Sequence, residues 1–463
     1  MTPPRFTPDE LAAATGGHWL GAAPGTLAGV STDTRSVAAG NLFVALRGER
    51  FDAHDFLAEA GARGAAAAVV AEGWAAGHPS PLPALAVPDP LPALGAIARH
   101  HRRRFALPLV AVTGSNGKTT TREMIAAILA TRGRVLKTEG NLNNEVGVPL
   151  TLLGLEEGHA AAVIEMGMNH AGEIARLAAI AEPQVGVVTM AGTAHLEHLG
   201  SQDGIADAKA ELYRGLPEGG LAVVNADDAR MLKRAQASGR RMLTFAAGRG
   251  RRGDVVVLEV LPQTVEGLRF VLGIGNRELE VHIPALVGAH NAANAAAAAC
   301  AAIALGCSDR EISRGLATVA PVGRRLRLER LPSGVQLVDD CYNANPASMA
   351  AALQVAAELA ASAGGRAVAV LGDMLELGAY AEEAHRDLGR QAARAGLAAL
   401  HAFGPRARAT AEAAREAGLA RVTHTEDLEE LVREVRAGLL PSDVLLVKAS
   451  RGMRLERLVE RLR

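Results

Sequence analysis

Val110-Ala111-Val112-Thr113-Gly114-Ser115-Asn116-Gly117-Lys118-Thr119-Thr120 runs an apolar segment into a glycine-rich turn that ends on a lysine and two threonines. The run 109–113 reads as a buried strand, 119–131 carries helical period, and the glycines between them permit a tight turn. Loops of this kind cradle phosphates. Their backbone N–H groups face the anion, the lysine reaches the terminal phosphates, and the threonine hydroxyl ligates Mg²⁺. Thr113, Gly114, Ser115, Asn116, Gly117, Lys118, Thr119 and Thr120 are therefore the expected nucleotide-binding set, with ATP or a relative as ligand. The motif is a shortened one, G-x-x-G-K-T, because Val112 stands where the longer phosphate-loop pattern has its first glycine.

Outward from this stretch, short apolar runs (161–164, 185–189, 221–224) alternate with segments of helical period such as 172–181. That alternation predicts βαβ units, a parallel sheet and helices on both faces. Runs 255–260, 267–272 and 279–283 read instead as an antiparallel ribbon, followed by an alanine-rich helix over 291–305. A third alternating stretch begins near Pro321, with strands expected at 335–339, 367–371, 397–403, 421–424 and 444–448. Upstream, residues 1–106 mix short strands (41–46, 65–71) with Gly- and Pro-rich turns and end in a helix near 94–105. The fold class is α/β with three domains. A small mixed domain (1–106) precedes a central P-loop domain with a doubly wound, mostly parallel sheet (107–320) and a Rossmann-like α/β domain (321–463).

The 463 residues, 49% hydrophobic and 21% charged, are long and apolar enough for several cores. A formal net charge of −1 gives no electrostatic case for a nucleic-acid binder. The basic run His100–Arg104 is read as a solvated local patch. The longest apolar stretch, 295–307, falls short of a membrane span, and the start leads into no apolar h-region. Three cysteines without a CxxC pair support neither a disulfide framework nor a zinc site. A cytoplasmic protein is expected.

The chain has only five lysines (118, 137, 209, 233 and 448) beside 44 arginines. Lysine supplies a compact charge and a deprotonatable amine, and guanidinium supplies neither. Lys209, in Asp207-Ala208-Lys209-Ala210-Glu211, is either an ordinary exposed helix lysine or one kept for its amine.

Further candidates follow the phosphate loop. Val163-Ile164-Glu165 ends a buried strand in a carboxylate, where P-loop proteins hold Mg²⁺ directly or through water. His195 and His198 are structural histidines or ligands at a strand end; the zinc reading lacks further partners. In Gly288-Ala289-His290-Asn291, Asn291 is a candidate helix N-cap. Val338-Asp339-Asp340-Cys341-Tyr342-Asn343-Ala344-Asn345-Pro346 ends a strand in acidic and amide groups, suited to ribose contacts or to capping. Lys448 ends another strand.

In this order the segments resemble the Mur ligases of bacterial cell-wall synthesis, three-domain ATP-dependent enzymes that form an amide bond to a UDP-linked muramoyl peptide. The more specific stretches are Asp33-Thr34-Arg35 with Leu46-Arg47-Gly48-Glu49-Arg50-Phe51-Asp52-Ala53-His54-Asp55-Phe56, then Gly140-Asn141-Leu142-Asn143-Asn144-Glu145-Val146-Gly147-Val148-Pro149, and residues 194–201. They look like the branch that adds D-alanyl-D-alanine to UDP-N-acetylmuramoyl-tripeptide. Where the branch adding the third residue carries D-N-P-R, this chain reads Leu371-Gly372-Asp373-Met374-Leu375-Glu376-Leu377-Gly378.

The resemblance implies that the substrate carboxylate is phosphorylated and that the acyl phosphate is attacked by the incoming amine. Lys118, Glu165, His195 and Lys209 would be the catalytic set. Thr119, Glu165, His195 and a carbamylated Lys209 would hold Mg²⁺. Asn291 would contact adenine, Asp340 the ribose and Arg324 the phosphates of ATP. Ser31, Asp33, Arg35 and Gly48 would hold the uridine diphosphate, and Asn141, Asn143 and Asn144 would line the route to the sugar. Asn343, Lys448, Ser450 and Arg451 would close over the peptide end. Ala449 departs from the family's K-G-S-R, which matters only if the backbone there needs φ > 0. The implied partners are UDP-N-acetylmuramoyl-tripeptide and D-alanyl-D-alanine, with no nucleic acid, on a monomeric chain. A folate-glutamate ligase is the competing enzyme, disfavoured by the first-domain motif. A silent nucleotide-binding scaffold competes from another class and would be expected to lack one of the four catalytic residues.

Overall fold

The computed structural model describes residues 3–48, 51–192, 199–248 and 250–463. The chain divides into two compact units, one of residues Met1–Thr113, Arg132–Val187 and Glu211–Ala222, the other of Gly114–Thr131, Val188–Ala210 and Val223–Arg463.

In the first unit a five-stranded sheet runs His18–Leu20, Ala84–Val87, Ala67–Ala71, Leu42–Val44, Val30–Ser31. It is parallel except at His18–Leu20. Asp89 caps the helix Pro90–Arg102 by accepting from Leu91 N–H, and Pro90 sits where a missing N–H costs nothing. The basic run at its end is only in part the solvated patch expected from sequence, since Arg103 and Arg104 are exposed but His101 and Arg102 are buried. The Arg102 guanidinium is buried and donates to the carbonyls of Ala181, Phe105 and Leu107. Arg99 and Arg103 converge on Glu182, and His101 is buried against Leu155 O. Within the run, Arg102 is the backbone clamp.

The same unit holds His159–Glu165, paired in parallel with Leu109–Thr113 on one side and Arg134–Lys137 on the other. Its register sets Glu165 opposite Val112, beside the residues that lead into the phosphate loop. Strand 134–137 escaped the sequence reading because its residues are exposed or half-buried and form no apolar run.

In the second unit Val255–Val260, Leu268–Ile274 and Arg277–Ile283 form the expected antiparallel ribbon, with Arg241–Ala247 added in parallel. The alanine-rich helix His290–Ala304 is buried along most of its length and packs on Lys118–Leu129. Small side chains allow that close approach.

The last sheet runs Arg327–Arg330, Gln336–Asp339, Val444–Lys448, Ala367–Gly372, Ala399–Phe403, Val422–Thr425, parallel except for the first strand. Its strands serve two cores by alternation. Val444 and Leu446 face the helices Pro346–Ala363 and Ala381–Arg394, while Leu445 and Val447 face Leu428–Gly438 and Glu456–Leu462.

The helix Asp309–Leu316, capped by a Ser308–Glu311 box, supports the phosphate-loop helix. A β-carbon on Gly315 would lie 2.4 Å from Ile128 Cα, a backbone atom with no freedom to yield. Gly315→Ala is expected to destabilise the fold by about 1–3 kcal/mol, the usual cost of overpacking. A thermal unfolding midpoint equal to that of the wild type would refute this close helix crossing.

Candidate active site

The phosphate loop is built in the second unit from two glycines that nothing else replaces. Gly114 has φ +150° and Gly117 φ +82°. A β-carbon would meet Thr189 Oγ1 at 1.8 Å from Gly114 and Asn294 Oδ1 at 2.3 Å from Gly117. Backbone angle and space therefore both demand glycine.

The segment 189–192 buttresses the loop. Ser115 N–H donates to Met190 O at 2.9 Å, and Ser115 Oγ accepts from Gly192 N–H at 2.8 Å. Thr189 Oγ1 donates to Asn116 O at 2.5 Å, and Asn225 Nδ2 holds Thr189 O at 2.9 Å. The helix Lys118–Leu129 starts at Gly117 with no side-chain cap, so its first turn presents N–H groups and the positive end of the helix dipole. Lys118 Nζ donates to Gly114 O at 2.8 Å, folding over its own loop. Thr119 is buried. An uncapped helix start, a cradle that a β-carbon would fill and a lysine over it suit a nucleotide phosphate.

Lys209 lies on the helix Gln202–Arg214 and is 1% exposed, so the exposed-lysine reading fails. Burial, reinforced by the Lys118 charge, holds its amine well below the ordinary lysine range. His195 lies outside the described residues, as do Glu49 and Arg50 of the first-domain motif.

In the first unit Glu165 is buried at its strand end, its N–H donating to Thr138 Oγ1 and its Oε1 accepting from Asn143 Nδ2 at 2.9 Å. Asn143, expected beside the sugar, is thus joined to the carboxylate. Asn144 Oδ1 accepts from Gly147 N–H at 2.8 Å, just before the short helix Gly147–Leu152, and Asn141 is exposed. Asp33 and Arg35 form a local ion pair at 2.6 Å, which pulls the Asp33 carboxyl down to about 2. Ser31 Oγ is bonded to Asp33 O and Ser36 Oγ. Gly48 N–H donates to Phe51 O at 2.9 Å.

The last sheet gathers a second polar cluster. Lys448 Nζ donates to Asp340 Oδ2 at 2.6 Å and to Asn343 O at 3.0 Å, and Leu326 N–H donates to Asp340 Oδ1. That last bond anchors Leu326 in the left-handed region at φ +49°. Burial raises the Asp340 carboxyl above its usual range although the Lys448 charge opposes this. Arg324 pairs with Asp339 and Glu460. Ser450 Oγ accepts from Leu375 N–H at 2.9 Å, and Arg451 lies over the Tyr342 ring. Ala449 is not among the residues with positive φ, and its methyl packs close to Gly372, so alanine is accommodated there.

Asn291 corrects one expectation. The helix begins at His290 with Ala289 at the cap, and Asn291 sits inside it, its Nδ2 donating to Val287 O and its Oδ1 accepting from Asn294. The structure also adds Thr189, Asn225 and Asn294 to the loop's supports. Thr189 ends an apolar run and Asn294 follows Asn291 in the quoted motif, but neither announces its partner.

A strand–loop–helix phosphate cradle among mostly parallel sheets defines a P-loop nucleotide-binding α/β protein. Residues 26–102 match the Mur ligase family catalytic domain, 112–302 the Mur ligase middle domain and 324–451 the Mur ligase glutamate ligase domain. The chain is similar to the UDP-N-acetylmuramoyl-tripeptide–D-alanyl-D-alanine ligase of Escherichia coli, at 40% identity over 94% of each chain. Among solved structures it is similar to MurF from Acinetobacter baumannii, with TM-score 0.89 and 34% identity over 100% of this chain and 99% of that one. It is also similar to the MurF ligase of Thermotoga maritima in complex with ADP, with TM-score 0.83 and 29% identity over 94% and 96%. The chain belongs to the Mur ligase family.

Gly114→Ala tests the cradle. The clash with Thr189 Oγ1 forces the loop out of shape, and ATP affinity measured by calorimetry is expected to fall at least about tenfold, the equivalent of 1.4 kcal/mol. Unchanged affinity would show that the loop tolerates a β-carbon and that the cradle is looser than described.

Proposed function

We propose that this protein is the ATP-dependent ligase that joins D-alanyl-D-alanine to UDP-N-acetylmuramoyl-tripeptide in peptidoglycan precursor synthesis. The observation that carries this reading is the two-glycine phosphate cradle within a chain similar along almost its whole length to ligases of that name. The tripeptide's terminal carboxylate takes the γ-phosphoryl group, and the dipeptide amine attacks the acyl phosphate. A C–N bond forms, the acyl C–O bond breaks, and ADP and phosphate leave. ATP with Mg²⁺ supplies the phosphoryl group and neutralises its charge.

The chain's own part is positioning and electrostatics. Lys118 and the first-turn N–H groups face the phosphates, with the Thr119 hydroxyl kept for the metal. Glu165 keeps the acidic metal-binding role in its own unit, held in orientation by Asn143. His195 keeps its expected metal role. Asn291, Arg324 and Asp340 are read as nucleotide contacts, and Asn343, Lys448, Ser450 and Arg451 as groups near the peptide end. Ser31, Asp33, Arg35 and Gly48 are read as uridine diphosphate contacts. The functional domains are read as 1–106, 107–320 and 321–463. Among the described residues no helix is long and apolar enough to cross a membrane. The reading places the enzyme in the cytoplasm as a monomer.

Lys209 is read as carbamylated. CO₂ adds to the neutral amine, the N–C bond forms and one proton leaves, giving an anionic oxygen ligand suited to Mg²⁺. Its lowered pKa supports this, because the neutral amine then forms at lower pH than for an ordinary lysine. Loading should rise as pH climbs through that lowered pKa. CO₂-depleted buffer is expected to suppress activity and bicarbonate to restore it, with ¹³C-bicarbonate giving a carbamate signal that Lys209→Arg lacks. Equal activity with and without CO₂ and no such signal would exclude the carbamate.

Phosphate release from Mg-ATP with UDP-N-acetylmuramoyl-tripeptide tests the reaction. Release is expected with D-alanyl-D-alanine and not with lysine, diaminopimelate or glutamate. Absence of release with every amine, despite ATP binding, would overturn the ligase reading.

A further inference from the structure

We propose that Asn345 is a positioning residue of the phosphate loop, a role that rests on the reading of residues 114–120 as the ATP-binding loop. Its side-chain amide is engaged at both ends. Oδ1 accepts from Ser348 N–H at 2.9 Å and caps the helix Pro346–Ala363, while Asn345 N–H donates to Ser348 Oγ at 3.0 Å. Nδ2 donates to Asn116 Oδ1 at 2.7 Å, across 229 residues of sequence.

The two bonds are not independent. A helix start offers donors only, so the cap claims the amide oxygen. The nitrogen is thereby turned toward Asn116, with no other choice of orientation that keeps the cap. Asn116 lies one residue before Gly117, and its own carbonyl is already held by Thr189 Oγ1. Its backbone is fixed from the strand-end side and its side chain from the helix cap.

The helix is itself tethered farther along. Gln263 Nε2 donates to Glu358, and Gln263 Oε1 accepts from Gly288 N–H at 2.5 Å. Gln354 adds a bond to the other Glu358 oxygen. The cap is therefore a fixed point. The turn that presents Asp340 and Asn343 also reaches the phosphate loop, so the shape of that loop depends on a residue in the last third of the chain.

Serine at position 345 separates the two jobs. It caps as well as asparagine but is too short to reach Asn116, whereas alanine loses both bonds. Asn345→Ser is expected to keep the wild-type unfolding midpoint while weakening ATP binding and lowering kcat by roughly three- to tenfold, the range of one hydrogen bond. KM for D-alanyl-D-alanine should not change. Asn345→Ala should show the same ATP defect together with a lower midpoint. Asn116→Ala should match the serine variant, and the Asn116→Ala/Asn345→Ser pair should be no worse than either single change. Amide exchange across 114–120, measured without nucleotide, should be faster in Asn345→Ser. Wild-type ATP affinity and exchange in Asn345→Ser would overturn the proposal and leave Asn345 a helix cap. A wild-type chain that binds no ATP would overturn the loop reading, and this role with it.

Discussion

Gly114 and Gly117 have no room for a β-carbon, and much of the candidate site follows from that. Because the backbone at these positions passes against Thr189 and Asn294, the loop cannot relax into an ordinary turn. It must be held open by bonds from outside itself, and they come from Met190, Gly192, Thr189 and Asn345. A phosphate cradle works only if its N–H groups point inward before the anion arrives, since reorganisation would be subtracted from binding. The surrounding hydrogen bonds supply that preorganisation.

The parts of the fold that announce themselves in sequence are those with both faces buried. Strands 109–113 and 444–448 read off their apolar runs to the residue, because a parallel strand covered on both sides has little reason to carry polar groups. Strands 134–137 and 327–330 did not, since their mixed exposure and charged residues leave no run to see. The basic stretch 100–104 misled for a related reason. A guanidinium that satisfies three backbone carbonyls is buried as comfortably as an apolar side chain, yet sequence presents it as charge. The candidate site was legible wherever a residue type has one chemical use, as with the glycines and lysine of the loop. Asparagine was harder. Asn116, Asn143, Asn291 and Asn345 each carry a donor and an acceptor, and only the fold decides which partners they meet.

For the ligand roles proposed for Asn291 and Asp340, the internal partners occupy only part of each side chain's bonding capacity. Asn291 uses one of its two N–H groups on Val287 O and one acceptor position on Asn294. One N–H and one lone pair remain, which is what an adenine edge would need. Asp340 receives one donor on each oxygen and keeps a further lone pair on each for a ribose hydroxyl. A side chain already fixed by its neighbours loses less rotamer entropy when it meets a ligand. The bonded state of these residues is thus the condition for selective contact.

The two fully buried lysines show why a chain with 44 arginines retains this residue at all. Lys448 sits in the interior with Asp340 2.6 Å from its nitrogen and the Asn343 carbonyl beside it. Lys209 has no carboxylate partner in an ion pair among the described residues, and it faces the repulsion of Lys118. Desolvation and a like charge act in the same direction, and its pKa falls well below the ordinary lysine range. An arginine in the first position would lack the compact three-donor head; in the second it would bring a permanent charge into a site where burial and Lys118 disfavour one. The same side chain is therefore placed in two opposite settings, once beside a carboxylate and once where burial and a like charge disfavour the charged form. The second setting favours the neutral amine, the form that the carbamate proposed at Lys209 would require.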